Sequence, residues 1–172
     1  MKIKSVAVSF GLGILGSLSA PILSEIFESG HQKVFAQEAT SLSSCPLPAN
    51  IAITFLKSKC QKVKLLMPQT FFRYYSNDLN KKGRYLTTGQ YQTNAEAIAN
   101  LALKQEWGNK AEKMLSITLP AGTIIYQGIV APQIPASCYP GGGQQIFIED
   151  SKDPNLFWTE GPVLTKQTIN CS

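Results

Sequence analysis

Four cysteines constrain this chain more than any other feature of its sequence, because all of them follow a segment with the character of an export signal. They are Cys45, Cys60, Cys138 and Cys171. An even number of cysteines in an exported domain is typical of disulfide bonds, and four cysteines allow three pairings. We expect Cys45–Cys60 as a local link and Cys138–Cys171 as a tie between the C-terminus and a glycine-rich loop. The alternative is zinc held by four thiolates, but the chain has no C-x-x-C pair.

Residues 1–36 have the pattern of a signal peptide. A positively charged start precedes an uncharged run from Ser5 to Leu23, and Val34-Phe35-Ala36 fits the small-x-small cleavage rule. The uncharged run is close to the length of a membrane span, so an uncleaved anchor is the alternative. We expect a secreted or periplasmic protein without stable membrane association once the leader is removed.

Removal of the leader would also limit the available chemistry. His31 is the only histidine and lies inside it. A mature chain without histidine excludes Ser-His-Asp and Cys-His catalysis and histidine-ligated zinc, and we expect no metal. The net charge of +5 is spread along the chain, so the pattern does not indicate a nucleic-acid partner. The local lysine cluster at residues 57–64 is interpreted as a solvated face, with a membrane or nucleic-acid patch as the alternative.

The hydrophobic pattern predicts an α+β fold with a mixed or antiparallel sheet and few short helices. We divide the mature chain into an N-terminal extension, residues 37–70, and a domain, residues 71–172. The extension carries a short helix at 51–59, capped by Asn50, and the domain a helix at 95–103, capped by Asn94. A β-hairpin is predicted at 114–130, around Pro120-Ala121-Gly122. The other predicted strands are 71–75, 84–87, 144–149 and a final pair at 157–158 and 163–164.

Arg73 stands out because aromatic residues surround it in the run Phe71-Phe72-Arg73-Tyr74-Tyr75. A guanidinium in such a strand is at least partly buried and needs an anionic partner. That partner is either a carboxylate of the protein, such as Asp78, or a phosphate of a ligand. Residue type alone does not decide between them.

The run Gly141-Gly142-Gly143 precedes a predicted strand rather than a helix, and it matches neither the P-loop nor the dinucleotide-binding spacing. It predicts either a tight turn near a ligand or a flexible loop. In the strand that follows, a period of two places Gln145, Phe147 and Glu149 on one face and two isoleucines on the other. This is also the pattern of an ordinary half-exposed strand.

Five segments follow one another along the chain: Phe72-Arg73-Tyr74-Tyr75-Ser76, Gly83-Arg84-Tyr85-Leu86-Thr87-Thr88, Tyr91 with Ala95-Glu96-Ala97 and Leu101-Ala102-Leu103, Gly128-Ile129-Val130-Ala131-Pro132, and Pro140-Gly141-Gly142-Gly143-Gln144-Gln145. In this order they resemble the NAD-consuming toxin domains built on the ADP-ribosyltransferase fold. Two branches are similar, namely the tuberculosis necrotizing toxin family of NAD glycohydrolases and the type VI-secreted mono-ADP-ribosyltransferase toxins. The likeness covers residues 71–164.

The resemblance implies NAD as a substrate rather than a bound cofactor, and an immunity protein as a partner. It implies that Arg73 binds the pyrophosphate or ribose of NAD and that Arg84 serves as a second cation. Tyr85, Thr87 and Thr88 would line the nicotinamide side of the pocket.

Two residues of the late strand carry the choice between the branches. By this resemblance, Gln145 would occupy the position at which the glycohydrolase branch carries glutamine and the transferase branch carries glutamate. The glutamine therefore favours a glycohydrolase. Glu149 is the group that a transferase would use.

Cleavage of the nicotinamide–ribose bond is compatible with a mature chain that lacks histidine. Nicotinamide leaves as a neutral molecule, so no general acid has to protonate it. The reaction needs a cation for the pyrophosphate, an aromatic wall such as Tyr85 or Phe147, and an oxygen dipole from Gln145 or Glu149 facing the cationic sugar. We therefore expect an NAD glycohydrolase, with a mono-ADP-ribosyltransferase or an inactive secreted binding module as alternatives.

Overall fold

The computed structural model describes residues 44–169 of the protein, and within them the chain forms seven strands and three short α-helices. The predicted leader, the start of the extension and Cys171 lie outside the described residues. The helices are α1 (Ala49–Ala52), α2 (Asp78–Lys81) and α3 (Asn94–Leu101). The strands are β1 (Phe55–Lys64), β2 (Gln69–Tyr75), β3 (Tyr85–Leu86), β4 (Lys113–Leu119), β5 (Ile124–Val130), β6 (Gln144–Phe147) and β7 (Trp158–Val163).

The strands form two sheets, one in the order β1-β5-β6-β3 and the other in the order β2-β4-β7. All pairings between these strands are antiparallel. The sheets touch through an isolated bridge between Phe72 and Thr87, whose backbone N–H groups each donate to the other's carbonyl over 2.8 Å. The expected class, α+β with largely antiparallel sheet and few short helices, is therefore observed. No helix among residues 44–169 has the length and hydropathy of a membrane span.

One hydrophobic core cluster lies between the two sheets. Phe71 of β2, Ile117 of β4 and Ile146 of β6 meet there and are almost completely buried. A second cluster packs α3 against the aromatic end of β2, through Ile98 and Tyr74. Burial of each such side chain contributes about 1.5–3 kcal/mol to the stability of the fold.

The predicted β-hairpin at 114–130 is wrong, although both of its strands exist. β4 pairs with β2 and β7, whereas β5 pairs with β1 and β6. The turn is held by Leu65, the residue after β1, since Gly122 N–H donates to Leu65 O over 2.7 Å and Leu65 N–H to Thr123 O over 2.9 Å. A turn signal predicts where the chain reverses direction. It does not predict which strands the next segment pairs with, and that pairing decides the sheet to which the segment belongs.

The predicted helix at 51–59 is also wrong. Only α1 is helical, and the chain extends into β1 from Phe55. Lys57 and Ser58 adopt left-handed φ angles of 56° and 51°, at an irregularity where β1 pairs with β5. The helical spacing of Ile51 and Phe55 is a local preference, which pairing with β5 overrides.

Two further elements differ from prediction. Thr93, not Asn94, caps α3, because Thr93 Oγ1 accepts from Glu96 N–H and Glu96 Oε2 accepts in return from Thr93 N–H. The predicted final strand pair is a single strand, β7.

The Cys45–Cys60 disulfide is confirmed and links residues 15 positions apart. Cys138 is also disulfide-bonded, and no cysteine among the described residues carries a free thiol. Its predicted partner, Cys171, lies outside the described residues, so that pairing stays a prediction.

Candidate functional site

A cleft of about 300 Å³ lies beside the Phe72–Thr87 bridge that joins the two sheets. Its volume is at the lower end for small-molecule sites, so a large ligand would extend beyond it. The apolar part of its wall includes Phe72, Leu103 and Val130. The polar side chains that line it are those of Thr54, Arg73, Asn80, Thr87, Asn109, Gln133 and Gln145.

Arg73 reaches this cleft from β2, and within the described part of the chain its guanidinium is bound by main-chain carbonyls alone. Nε donates to Asn80 O over 3.1 Å and Lys81 O over 3.0 Å, Nη2 donates to Asn80 O over 2.8 Å, and Nη1 donates to Tyr85 O over 2.9 Å. These bonds use three of the five N–H groups of a guanidinium.

No carboxylate of residues 44–169 forms an ion pair with Arg73, so Asp78, one of the two kinds of partner left open by the sequence, is not its counter-charge. Burial lowers the pKa of Arg73 to about 10, which still leaves the group charged at neutral pH. The cleft therefore carries a partly desolvated positive charge that no acidic side chain of the described residues neutralises. Such a group is suited to binding an anion.

Gln145 reaches the same cleft from β6, the strand between β5 and β3, and its side chain is buried. Its Nε2 donates to Thr54 Oγ1 over 2.8 Å, and Thr54 Oγ1 donates in turn to Ile51 O over 2.7 Å. The amide oxygen of Gln145 has no hydrogen-bond partner among the described residues, and it is not sealed from solvent. The cleft thus contains an amide oxygen with unused acceptor capacity.

Tyr85 and Thr87, two more of the predicted binding residues, also line the cleft. The Tyr85 ring packs edge-on against Phe147, with 5.2 Å between the ring centroids. Thr87 is 1% exposed, and its hydroxyl accepts from Gly89 N–H over 3.0 Å. Both residues are positioned by the short strand β3 and the bridge that follows it.

The other predicted site residues lie elsewhere. Arg84 and Thr88 are exposed and are not part of the cleft wall, and Arg84 lies over the Phe147 ring at 5.0 Å. Phe147 is 1% exposed, because the rings of Tyr85 and Tyr126 cover it.

Glu149 lies beside a different cavity, of about 230 Å³. Its Oε1 accepts a hydrogen bond of 2.8 Å from the hydroxyl of Tyr126. The period of two does place Gln145 and Phe147 on one face of β6, but only Gln145 meets open space. From Gln145 to Phe147 the strand is therefore buried on both faces, rather than half-exposed.

The glycine run lies outside the cleft wall and has a structural role. Gly141 N–H donates to Ala99 O and Gly143 N–H to Asn100 O, each over 3.0 Å, so the run binds the C-terminal carbonyls of α3. Gly141 has φ of 68°, and a Cβ there would lie 2.6 Å from Val130 O. Gly142 N–H donates to Val130 O over 3.1 Å, so the run is a tight turn docked on a helix end and all three of its N–H groups are already used.

Sequence reasoning missed several cleft residues, and three of them, Thr54, Asn109 and Trp107, come from elements outside the predicted site. Thr54 follows α1, Asn109 follows the short 3₁₀ helix Gln105–Trp107, and Trp107 ends that helix. Asn109 is held by a 3.0 Å bond from its Nδ2 to Tyr74 O. Trp107 is 60% exposed at the rim. A tryptophan between the predicted helix at 95–103 and the predicted strand from 114 is the one local signal that would have indicated it.

No group of three or more histidine, cysteine or carboxylate side chains suited to a metal occurs within the described range. The cleft offers one cation, several neutral polar groups and apolar walls. This set can bind an anionic ligand with a flat ring and can stabilise positive charge through a neutral oxygen.

Comparison with known proteins supports the fold. No family model and no curated protein matches the chain. Among solved structures, the chain is similar to the structure of Tne2 in complex with Tni2, with a TM-score of 0.53 and 19% sequence identity, over 66% of this chain and 99% of that one. The protein therefore shares its fold with that structure.

Proposed function

We propose that the protein is an exported NAD glycohydrolase, which cleaves the nicotinamide–ribose bond of NAD to give nicotinamide and ADP-ribose. The observation that carries the proposal is that one cleft contains an arginine and a buried glutamine, and that among residues 44–169 the arginine has no carboxylate partner and the glutamine oxygen no hydrogen-bond donor. The ordered segments that resemble NAD-consuming toxin domains supply the identity of the ligand. The leader-like segment and the disulfides support export.

In this proposal Arg73 binds the pyrophosphate. Its remaining N–H groups on Nη1 and Nη2 would donate to phosphate oxygens. The phosphate charge would then compensate the hydration that the guanidinium loses on folding. The carbonyls of α2 and Tyr85 hold the guanidinium in place before the ligand arrives. Preorganisation of this kind reduces the cost of ordering the site on binding.

Gln145 stabilises the transition state. As the bond between ribose carbon and nicotinamide nitrogen breaks, its electron pair leaves with nicotinamide, and positive charge develops on the sugar. The amide oxygen of Gln145 would face that charge in a buried site, where a fixed dipole acts more strongly than in water. Water then bonds to the ribose carbon and releases a proton to solvent, which completes ADP-ribose.

The fold relative Tne2 was solved in complex with Tni2. We propose that this protein likewise has a cognate partner protein, of the immunity class that the sequence resemblance implies.

The test is turnover of 1,N6-etheno-NAD by the oxidised protein. Fluorescence should rise for the wild type, and Arg73→Ala and Gln145→Ala should lower kcat/KM by about 100-fold or more. Gln144→Ala is the matched control, since Gln144 is exposed on the same strand, and it should retain activity. Arg84→Ala tests whether Arg84 acts as a second cation for NAD, and an unchanged rate would show that it does not.

Three results would oppose the proposal. Label transferred from NAD to a protein and abolished by Glu149→Gln would indicate a mono-ADP-ribosyltransferase. Binding of NAD without turnover would indicate an inactive module, and absence of both binding and turnover would remove NAD as the ligand.

A further inference from the structure

One hydroxyl determines which end of the Gln145 amide faces the cleft. A terminal amide has two ends of similar shape, and packing alone seldom distinguishes them. Here Nε2 of Gln145 and the carbonyl of Ile51 both contact Thr54 Oγ1, over 2.8 and 2.7 Å. The hydroxyl has one proton, and Ile51 O can only accept, so that proton is committed to Ile51.

Thr54 can therefore only accept from Gln145, and the amide must present its NH₂ end to Thr54. The carbonyl end then points away from Thr54. A flipped amide would set two acceptor oxygens against each other and lose a buried hydrogen bond. The orientation of the dipole in the cleft thus depends on Thr54.

Thr54 is itself held firmly. Its N–H donates to Ile51 O over 3.0 Å, and its carbonyl accepts from Ala131 N–H over 2.9 Å. The Cys45–Cys60 disulfide closes the loop that carries it. Its backbone and its side chain are bound, so the hydroxyl lies at a fixed point opposite β6.

We propose that Thr54 is a positioning residue for cleavage, which orients the amide oxygen of Gln145 toward the cationic sugar without touching it. This inference rests on the proposed glycohydrolase function. It requires a side chain at position 54 that accepts from Gln145 while its own proton is bound elsewhere. Serine meets this requirement, whereas valine, which has the shape of threonine, does not.

The experiment compares Thr54→Val and Thr54→Ser in the full oxidised protein, with 1,N6-etheno-NAD as substrate. Thr54→Val should lower kcat about tenfold or more with KM nearly unchanged, because a misoriented group affects the transition state more than binding. Thr54→Ser should stay within about threefold of the wild type. Thr70→Val is the control for loss of a threonine hydroxyl away from the cleft, since Thr70 bonds only Thr118 by its side chain.

A double-mutant cycle separates positioning from general damage. On a Gln145→Ala background, Thr54→Val should cause no further loss of kcat, because the amide it orients is gone. If Thr54→Val does not fold, Thr54→Ala replaces it, and thermal melting checks that each variant is folded.

The outcomes are distinct. An active wild type with Thr54→Val at full rate, or with equal losses on both backgrounds, overturns the positioning role and leaves the glycohydrolase function standing. An inactive wild type overturns the function and this inference with it.

Discussion

The guanidinium of Arg73 lies directly against the backbone of Gly83. A Cβ on Gly83 would lie 2.5 Å from both Cζ and Nη2 of Arg73. Contacts this short do not occur, so a side chain at position 83 would displace the guanidinium from the carbonyls of α2 and Tyr85.

We therefore expect Gly83→Ala to lower activity by about tenfold or more, because even a small displacement of the Arg73 guanidinium from its position reduces the reaction rate. The overpacking should also destabilise the fold by about 1–3 kcal/mol. Steady-state kinetics and urea unfolding measure the two effects. Lys82→Ala is the neighbouring control, since Lys82 is exposed, and a full rate in Gly83→Ala would argue against any need for a fixed Arg73.

The disulfide loop should affect both stability and catalysis. Replacement of Cys45 and Cys60 by serine opens a loop spanning 15 positions, which is worth about 3 kcal/mol in the chain-entropy view. Because that loop carries Thr54, kcat should fall as well. Urea unfolding and kinetics on the same preparation test this, and an unchanged free energy of unfolding would contradict it.

Trp107 should contribute to ligand binding rather than to the fold, since its ring is largely exposed at the rim of the cleft. Loss of a stacked aromatic base contact costs about 1–3 kcal/mol. Trp107→Ala should therefore raise KM about tenfold or more with little change in melting temperature. Phe157→Ala removes a comparably exposed ring that does not line the cleft and should leave KM unchanged.

Glu160 should make stability depend on pH in the acid range. It forms an ion pair with Lys81 of α2 and accepts from the Tyr75 hydroxyl, and these bonds hold the pKa of Glu160 below its ordinary value of 4.5. A carboxyl with a lowered folded-state pKa contributes stability above its ordinary pKa and loses it as pH falls through the folded-state value.

Glu160→Gln should accordingly lower the melting temperature at neutral pH, and the difference from the wild type should disappear as the pH falls below the range where Glu160 ionises. Melting curves across the acid range measure this. A difference that persists at the lowest pH would show that the charge of Glu160 is not the cause.

Much of the local structure was readable from the sequence. The aromatic run around Arg73, the two segments on either side of the turn at Pro120 and the alternation at Gln145 each predicted a strand that exists, because strand propensity and alternation are local properties of the sequence. The short spacing of Cys45 and Cys60 likewise favoured the bond that formed.

Tertiary structure decided what these elements contact. It assigned β4 and β5 to different sheets, bound Arg73 to carbonyls instead of Asp78, and placed Glu149 at a cavity apart from Gln145. It also brought Thr54 to the amide of Gln145 across 91 positions of chain. Hydrogen-bond partners distant in the chain leave no periodic trace in the sequence, because each depends on the whole set of packed strands rather than on its own neighbours.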